Sequence, residues 1–424
     1  MPQTNKTPWW KRLGAGFITG AADDDPSGIA TYSQVGASFG YGILWTVPLA
    51  LPLMIGIQAI CGRVGRVTGM GLARNLRAEF PMPVVACAVI LLAIANVINL
   101  CADIGAIGAS TKLLAGGPAP LYAAVAALLS VLLQVFVPMP RYTPILKLLA
   151  LSLFAYVATI FMVRVPWAHV LKELVWPTFT LKVDYAMGIV AVLGTTISPY
   201  LFFWQSSEEA NEVRSNRHRQ PLRQKPAHAE GALRRIWLDT LTGMLFSEVV
   251  AFCIILAGAA VLHAHGKTDI QSSADAAMAL KPLAGKFAFV LFAGGIIGTG
   301  LLAIPVLAGS AAFALGETFR WRTGLDHKPQ RARLFYGTIA IATLGGMLIS
   351  FTPVNPIKML YWSAVINGVV AVPLMVLIML LASRSKVMGK FTSPRALEAL
   401  GWAATGVMGA ATLVMFATLF LPHR

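Results

Sequence analysis

The sequence predicts an all-α polytopic membrane protein, from its composition, the length of its apolar runs and the placing of its basic residues. Of 424 residues, 57% are hydrophobic and 12% charged, with a mean hydropathy of +0.69. Soluble globular chains carry roughly 25% charged residues, about twice this share. A chain of this size cannot enclose so much apolar surface in a core of its own, so the solvent it fits is lipid. About eleven apolar segments lie near 13–37, 41–61, 83–108, 119–139, 143–163, 185–205, 236–262, 287–315, 334–351, 357–382 and 397–421. Most come close to the ~20 residues needed to cross the hydrocarbon as a helix. They are continuously apolar and do not alternate, which sets aside an outer-membrane barrel. With the N-terminus inside, 24 of the 34 lysines and arginines fall on the cytoplasmic side and 9 on the other, with Lys147 inside a span. That bias alternates loop by loop and predicts an N-in, C-out inner-membrane protein of the bacterial type.

The first span begins straight after Lys11-Arg12 and continues as a long segment, so it reads as a transmembrane helix and not a cleaved signal peptide. Midway along it stands Asp23-Asp24-Asp25-Pro26-Ser27-Gly28. Acids at membrane depth are costly and normally face a cavity, pair with something or titrate. Pro26 removes a backbone donor and Gly28 permits unusual dihedrals, so the helix is expected to unwind there and expose carbonyls. A plain proline kink is the competing account of this motif. For Asp23 and Asp24 the competing account is a solvated helix start near the cytoplasm.

On the third span Asn96, Asn99 and Asp103 are spaced to share one helical face. They form either a polar stripe lining a cavity behind helix one or interhelical hydrogen bonds. The charge on Asp103 favours a functional role for it. The sixth span holds a second interruption, Gly194-Thr195-Thr196-Ile197-Ser198-Pro199-Tyr200. Tyr200, Phe202, Phe203 and Trp204 read as packing and gating bulk. Glu208, Glu209 and Glu212 then stand beside Arg214 and Arg217, as expected of solvated ion pairs in a long polar loop over 206–235. The basic run of that loop reads as a topology signal facing anionic lipid. It does not indicate nucleic acid, because the positive charge is scattered in clusters between spans. Glu248 is an isolated acid in the seventh span, functional or structurally partnered. The glycines of 294–300 suit close helix packing, with no Walker lysine after them. Cys61, Cys87, Cys101 and Cys253 have no metal-ligand spacing and read as small hydrophobes, and no cofactor is indicated.

Spans one and six occupy matching places in two five-helix halves, about 13–163 and 185–382, followed by an extra helix at about 397–421, all within one transporter domain over 1–424. A pair of interrupted helices at corresponding positions points to an inverted-repeat transporter with a site near the midplane.

On these residues the chain resembles the Nramp family of divalent-metal transporters, which have the LeuT-type architecture. Asp25-Pro26-Ser27-Gly28 is similar to the family's Asp-Pro-Gly-Asn motif of helix one. The run from Thr196 to Ser207 is similar to the Met-Pro-His-Asn stretch of helix six, aligned on Pro199. Ala102-Asp103-Ile104-Gly105 resembles a helix-three stretch, and Arg141 to Ala150 the linker into helix five. The resemblance implies a metal at Asp25, while Gly28, Ser198, Tyr200, Leu201 and Gln205 stand where the family has Asn, Met, His, Asn and a later His. On helix ten the family's Gln falls at Ala371, with Asn367 one turn away.

Without the thioether, the soft ligand that favours transition metals is gone. The expected binding set is Asp25, Ser27, Gly28, Thr195, Thr196, Ile197, Ser198 and Tyr200, an all-oxygen site suited to Mg²⁺, Mn²⁺, Ca²⁺ or Na⁺. Coupling or pathway roles are expected of Asp23, Asp24, Asp103, Gln205, Glu248 and Asn367. The leading reading is a secondary transporter of an inorganic ion in the lipid bilayer, a hard divalent metal by resemblance, proton- or cation-coupled. The alternative keeps the fold but carries a small anion such as bicarbonate with a coupled cation. A sensor or enzyme is disfavoured: there is no soluble domain, no nucleophile–base motif and no ATP-binding motif. The sequence does not separate a monomer from an oligomer.

Overall fold

The computed structural model describes residues 15–137, 153–180, 182–215, 220–226, 229–325 and 328–420. These fold as helices joined by short turns, with no strand among them. We label the main helices α1 (Ala15–Asp23), α2 (Pro26–Phe39), α3 (Thr46–Thr68), α4 (Leu72–Glu79), α5 (Met82–Ala115), α6 (Ala119–Phe136), α7 (Phe154–Ile160) and α8 (Trp167–Val175). There follow α9 (Val183–Thr196), α10 (Pro199–Ser215), α11 (Ala229–Ala257), α12 (Ala288–Thr318), α13 (Arg333–Ile349), α14 (Pro356–Ala382) and α15 (Arg395–Phe420).

Among the described residues, eight helical stretches are long and apolar enough to cross a membrane, and α13 is a shorter apolar helix. The first expected span is split into α1 and α2, and the sixth into α9 and α10. The first part of the fifth, over 143–152, with the stretch Arg141 to Ala150, lies outside the described residues, as does Arg217. The long polar loop expected over 206–235 is shorter, because α10 runs on to Ser215 and α11 begins at Ala229. Glu209 is therefore not a solvated surface acid. It is 1% exposed, and its carboxylate pairs with Arg235 of α11 at 2.8 Å, while Arg235 also reaches Glu212 at 2.9 Å.

Helices in lipid gain nothing from hiding apolar side chains from lipid tails, so close backbone approach at small residues holds them together. The structure has such contacts between several helices that frame the centre. A methyl added to Gly20 would stand 2.2 Å from the Gly243 carbonyl carbon, which sets α1 hard against α11. On the other half, one added to Gly194 would meet the Ala364 carbonyl oxygen at 2.2 Å, joining α9 to α14. In the expected packing stretch, Gly300 lets α12 lie against Ile107 of α5 and Pro26 of α2. The large apolar side chains left exposed, such as Val125 and Leu128 of α6, Ile341 of α13 and Leu413 of α15, form the outer, lipid-facing rim.

Candidate functional site

The first interruption is a helix stop and restart. α1 ends at Asp23, and Asp25 is the N-cap of α2, with extended backbone at φ −71° and ψ 174° and Pro26 in the first turn. An aspartate before a proline suits that position, since its side chain accepts from an otherwise orphaned amide and the proline needs no donor. The second interruption follows from Pro199. Its missing N–H leaves the Thr195 carbonyl without its helical partner, and the Ser198 hydroxyl takes the place, donating to Thr195 O at 2.6 Å and to Gly194 O at 3.0 Å. The last carbonyls of α1 and α9 thus end in mid-protein, where helix termini leave acceptors unpaired within the helix.

The two interruptions meet. A methyl at Gly28 would lie 3.3 Å from the Asp23 carbonyl oxygen and 3.4 Å from the Thr195 hydroxyl. Just outward of this contact, the Tyr32 hydroxyl of α2 hydrogen-bonds the Thr196 hydroxyl of α9 at 3.0 Å.

Asp25 is the focus. Its Oδ1 accepts from the Ser27 hydroxyl at 2.6 Å and from the Gly28 amide at 2.8 Å. Its Oδ2 accepts from Asn99 Nδ2 and from the Tyr200 hydroxyl, each at 3.1 Å. A carboxylate has about four acceptor positions, and all are taken here by donors from α2, α5 and α10. Asn99 is held in turn by Ser363 of α14, whose hydroxyl donates to Asn99 Oδ1 at 2.8 Å. The Tyr200 hydroxyl also lies 3.3 Å from the Ala22 carbonyl oxygen. An ion seeking Oδ2 must displace Asn99 and Tyr200 from it.

Of the expected binding set, Asp25, Ser27, Gly28, Thr195, Thr196 and Tyr200 are brought together at this junction. Ser198 is buried there too, but its hydroxyl turns back on α9, away from Asp25. Ile197 contributes a buried side chain and its amide, which donates to Leu193 O at 2.7 Å.

The other expected residues divide. Asp103 is fully buried, one turn beyond Asn99, and approaches Asp25 and the Ser27 amide without meeting hydrogen-bond geometry. Asp23 and Asp24 are fully buried, which overturns the reading of a solvated helix start. They turn toward α11, where the Ser247 hydroxyl donates to Asp23 Oδ2 at 2.7 Å and lies 3.1 Å from Asp24 Oδ1. Glu248 is buried beside them, its oxygens without hydrogen-bond partners among the described residues. Gln205 stands apart from the junction, donating to Thr240 of α11 at 2.9 Å. Asn367 is buried on α14 with no hydrogen-bond partner among the described residues. Asn96 also faces elsewhere, donating to the Leu307 carbonyl of α12 at 3.1 Å.

Sequence reasoning singled out neither Tyr32 nor Ser363, and had only spacing to mark Asn99. The one available signal was that Tyr32 lies a turn beyond Gly28 on the restarted helix.

The junction is buried, with Asp25 1% exposed. A cavity of about 690 Å³ opens beyond it, lined by Gln34, Phe39, Lys182, Asp184, Tyr185 and Tyr361 among others, and does not reach Asp25. On the other side of the junction α1 packs closely against α11 at Gly20 and Gly243.

A family model described as natural resistance-associated macrophage protein-like matches residues 16–418. The divalent metal cation transporter MntH of Klebsiella pneumoniae subsp. pneumoniae is 28% identical over 409 residues, covering 93% of this chain and 91% of that protein. MntH of Pectobacterium carotovorum subsp. carotovorum is 28% identical over 298 residues, covering 68% of each. The Eremococcus coleocola manganese transporter, crystallised with an aromatic bis-isothiourea substituted compound, superposes with a TM-score of 0.75 at 18% identity, covering 100% of this chain and 91% of that one. Mhp1, a nucleobase-cation-symport-1 family transporter in a closed conformation with bromovinylhydantoin bound, superposes at 0.54 and 15% identity over 97% of this chain and 94% of that one. At such identities the two structures speak for the fold alone, the LeuT-type helical architecture with interrupted spans. With the family match spanning almost the whole chain, this multi-pass inner-membrane protein belongs to the Nramp family of transporters.

Proposed function

We propose that this protein is a secondary active transporter of a divalent metal ion of the hard, oxygen-preferring kind, Mg²⁺ or Mn²⁺, working by alternating access around Asp25. The observation that carries this is a buried carboxylate at the meeting of two helix interruptions, held in place by donors from three helices. The carbonyl ends of α1 and α9 converge on the same junction and are favourable to a cation. Among the described residues, no lysine, arginine or histidine side chain hydrogen-bonds or ion-pairs with Asp25, so the centre suits a cation better than bicarbonate. The candidate ligand atoms are all oxygens, with Ser198 where the family has methionine, which favours Mg²⁺ or Mn²⁺ over softer metals. The relatives named divalent metal cation transporters support the same cargo class.

In the proposed cycle the ion enters through the 690 Å³ vestibule, after the Tyr32–Thr196 bond parts. It then takes Oδ2 of Asp25 as Asn99 and Tyr200 give way, and Thr195, Thr196 and Ile197 complete the shell with hydroxyl and carbonyl oxygens. Inward release needs α1 to leave α11. Asp23 and Asp24 share the Ser247 hydroxyl, Glu248 is buried beside them, and the three are the groups proposed to hold a coupled proton or cation, since uncompensated charge at that depth is costly. Asp103, Gln205 and Asn367 are assigned to the pathway around them. The N-terminus is proposed to be cytoplasmic, with repeats over about 13–163 and 185–382 rocking as two bodies.

The test is uptake by purified protein in liposomes, with Mn²⁺, Mg²⁺ and bicarbonate compared under imposed proton and sodium gradients. Saturable uptake of Mn²⁺ or Mg²⁺ is expected. Bicarbonate uptake with neither metal carried would overturn the proposal.

A further inference from the structure

A second cavity, of about 410 Å³, lies away from the junction between α4 and the turn that follows α12. Its lining brings together Arg74, Arg77 and Arg320, with Trp321 beside them and Glu317 as its one acid. Glu317 is spent inward. It is buried, and its carboxylate accepts from the Arg74 backbone amide and from the Ser207 hydroxyl, each at 3.2 Å. Arg77 is partly committed as well, donating to the Thr318 carbonyl at the end of α12. The side chains of Arg74 and Arg320 make no hydrogen bond or close ion pair among the described residues, although the charge of Arg74 reaches Glu317, and both residues are exposed and line the cavity. Three positive groups against one buried carboxylate leave the lining with an excess of about two positive charges.

The backbone supplies a separate observation. Arg320 has φ +63°, and it is the one non-glycine residue with positive φ among those described. It ends α12 in a Schellman turn, with the Trp321 amide donating to Gly316 O at 2.7 Å. Glycine is the residue that fills this position without strain. A cation near a helix C-terminus is favourable in itself, but the last helical turn could provide one in relaxed geometry. The strained position places a third arginine, Arg320, on the lining of a cavity that Arg74 and Arg77 already line. Strain of this kind collects at ligand sites.

Guanidinium groups match the oxygens of a phosphate in paired hydrogen bonds. We propose that this cavity binds a phosphate-bearing anion through Arg74, Arg77 and Arg320. The source is either the headgroup of an anionic lipid, for which basic pockets at helix ends are suited, or free inorganic phosphate. Neither the family match nor the reading of Asp25 is needed for this.

Binding is measured on the purified full chain in two arms. Inorganic phosphate is titrated calorimetrically against protein in detergent. Lipid is presented in nanodiscs of phosphatidylglycerol or of phosphatidylcholine, with retained lipid counted by native mass spectrometry. The variants are Arg74→Gln and Arg320→Gly. The second suits the positive-φ backbone, so loss of the fold does not hide the result. Arg395→Gln, a basic change at the exposed start of α15, is the control. Each cavity variant should weaken binding about tenfold, as for loss of one charge-assisted contact, while the control should not. Binding in the phosphate arm identifies the free anion, and phosphatidylglycerol retained where phosphatidylcholine is not identifies the headgroup. Failure of both arms, or binding unaltered by Arg74→Gln and Arg320→Gly, overturns the proposal.

Discussion

Replacing Asp25 with asparagine keeps the size of the side chain and removes its charge, and the structure allows both consequences to be worked out. Four donors converge on the carboxylate, two on each oxygen. An amide has one acceptor oxygen, so two of the four lose theirs, and its NH₂ is set against donors. A buried donor left unmade costs about 1–3 kcal/mol. Tyr200 still has the Ala22 carbonyl nearby, and hydroxyls can turn to accept from the new amide. The net loss of stability is therefore expected to stay at about 1–3 kcal/mol, leaving a folded protein. Binding suffers more. Removing one partner of a buried charge pair costs about 3–5 kcal/mol, and at 1.4 kcal/mol per tenfold this weakens affinity for a divalent ion by about two to three and a half powers of ten. The assay is Mn²⁺ titration of purified protein, with uptake followed by a metal-quenched dye inside liposomes. Monodisperse elution of the variant controls for folding. Mn²⁺ uptake by folded Asp25→Asn within about threefold of the unaltered protein would remove Asp25 from the ion's path.

The remaining predictions concern the parts around it. Asn99→Ala removes an amide that the ion must displace from Asp25 Oδ2 and should raise the apparent affinity for Mn²⁺ in uptake about tenfold, whereas Asn96→Ala, whose bond goes to α12, should cost about 1 kcal/mol of stability with uptake little changed. Equal uptake by the two variants would contradict the different positions of these amides. Gly20→Ala drives a methyl into the Gly243 backbone and should lower stability by about 1–3 kcal/mol as α1 is forced off α11. Gly294→Ala, which meets nothing within 4 Å, should leave the melting temperature unreduced, and a comparable loss in both would count against the packing described. Burial pushes the Glu79 carboxyl up, but its hydrogen bonds with Lys386 and Arg384 and their charges outweigh this and hold it below the usual carboxylate range. The stabilisation is therefore present at neutral pH and is lost as pH falls through the lowered value. Arg384 and Lys386 are 41% and 78% exposed, so Glu79→Gln should cost under about 1 kcal/mol at neutral pH, read from melting temperatures. That difference should vanish in acid or high salt, and one that persists under both would refute the assignment.

The sequence by itself determined the membrane class, because apolar content and run length leave no solvent but lipid. It also determined where two spans come apart, because Asp25-Pro26 and Ser198-Pro199 place a proline without a donor after a residue that can cap a helix. Helical spacing could put Asn96, Asn99 and Asp103 on one face, yet it could not say which neighbour each would meet. Packing decided that Asn99 meets Asp25 and Ser363 while Asn96 meets Leu307. Asp23 and Asp24 could also be read as solvated acids of a helix start until α11 covered them with Ser247. Glu209 and Arg235 lie 26 residues apart and become partners only when α10 and α11 pack. A helix's period orients side chains about its own axis. The choice of partner depends on the rotation and closeness of the next helix, which small residues such as Gly20, Gly194 and Gly243 set across the whole chain.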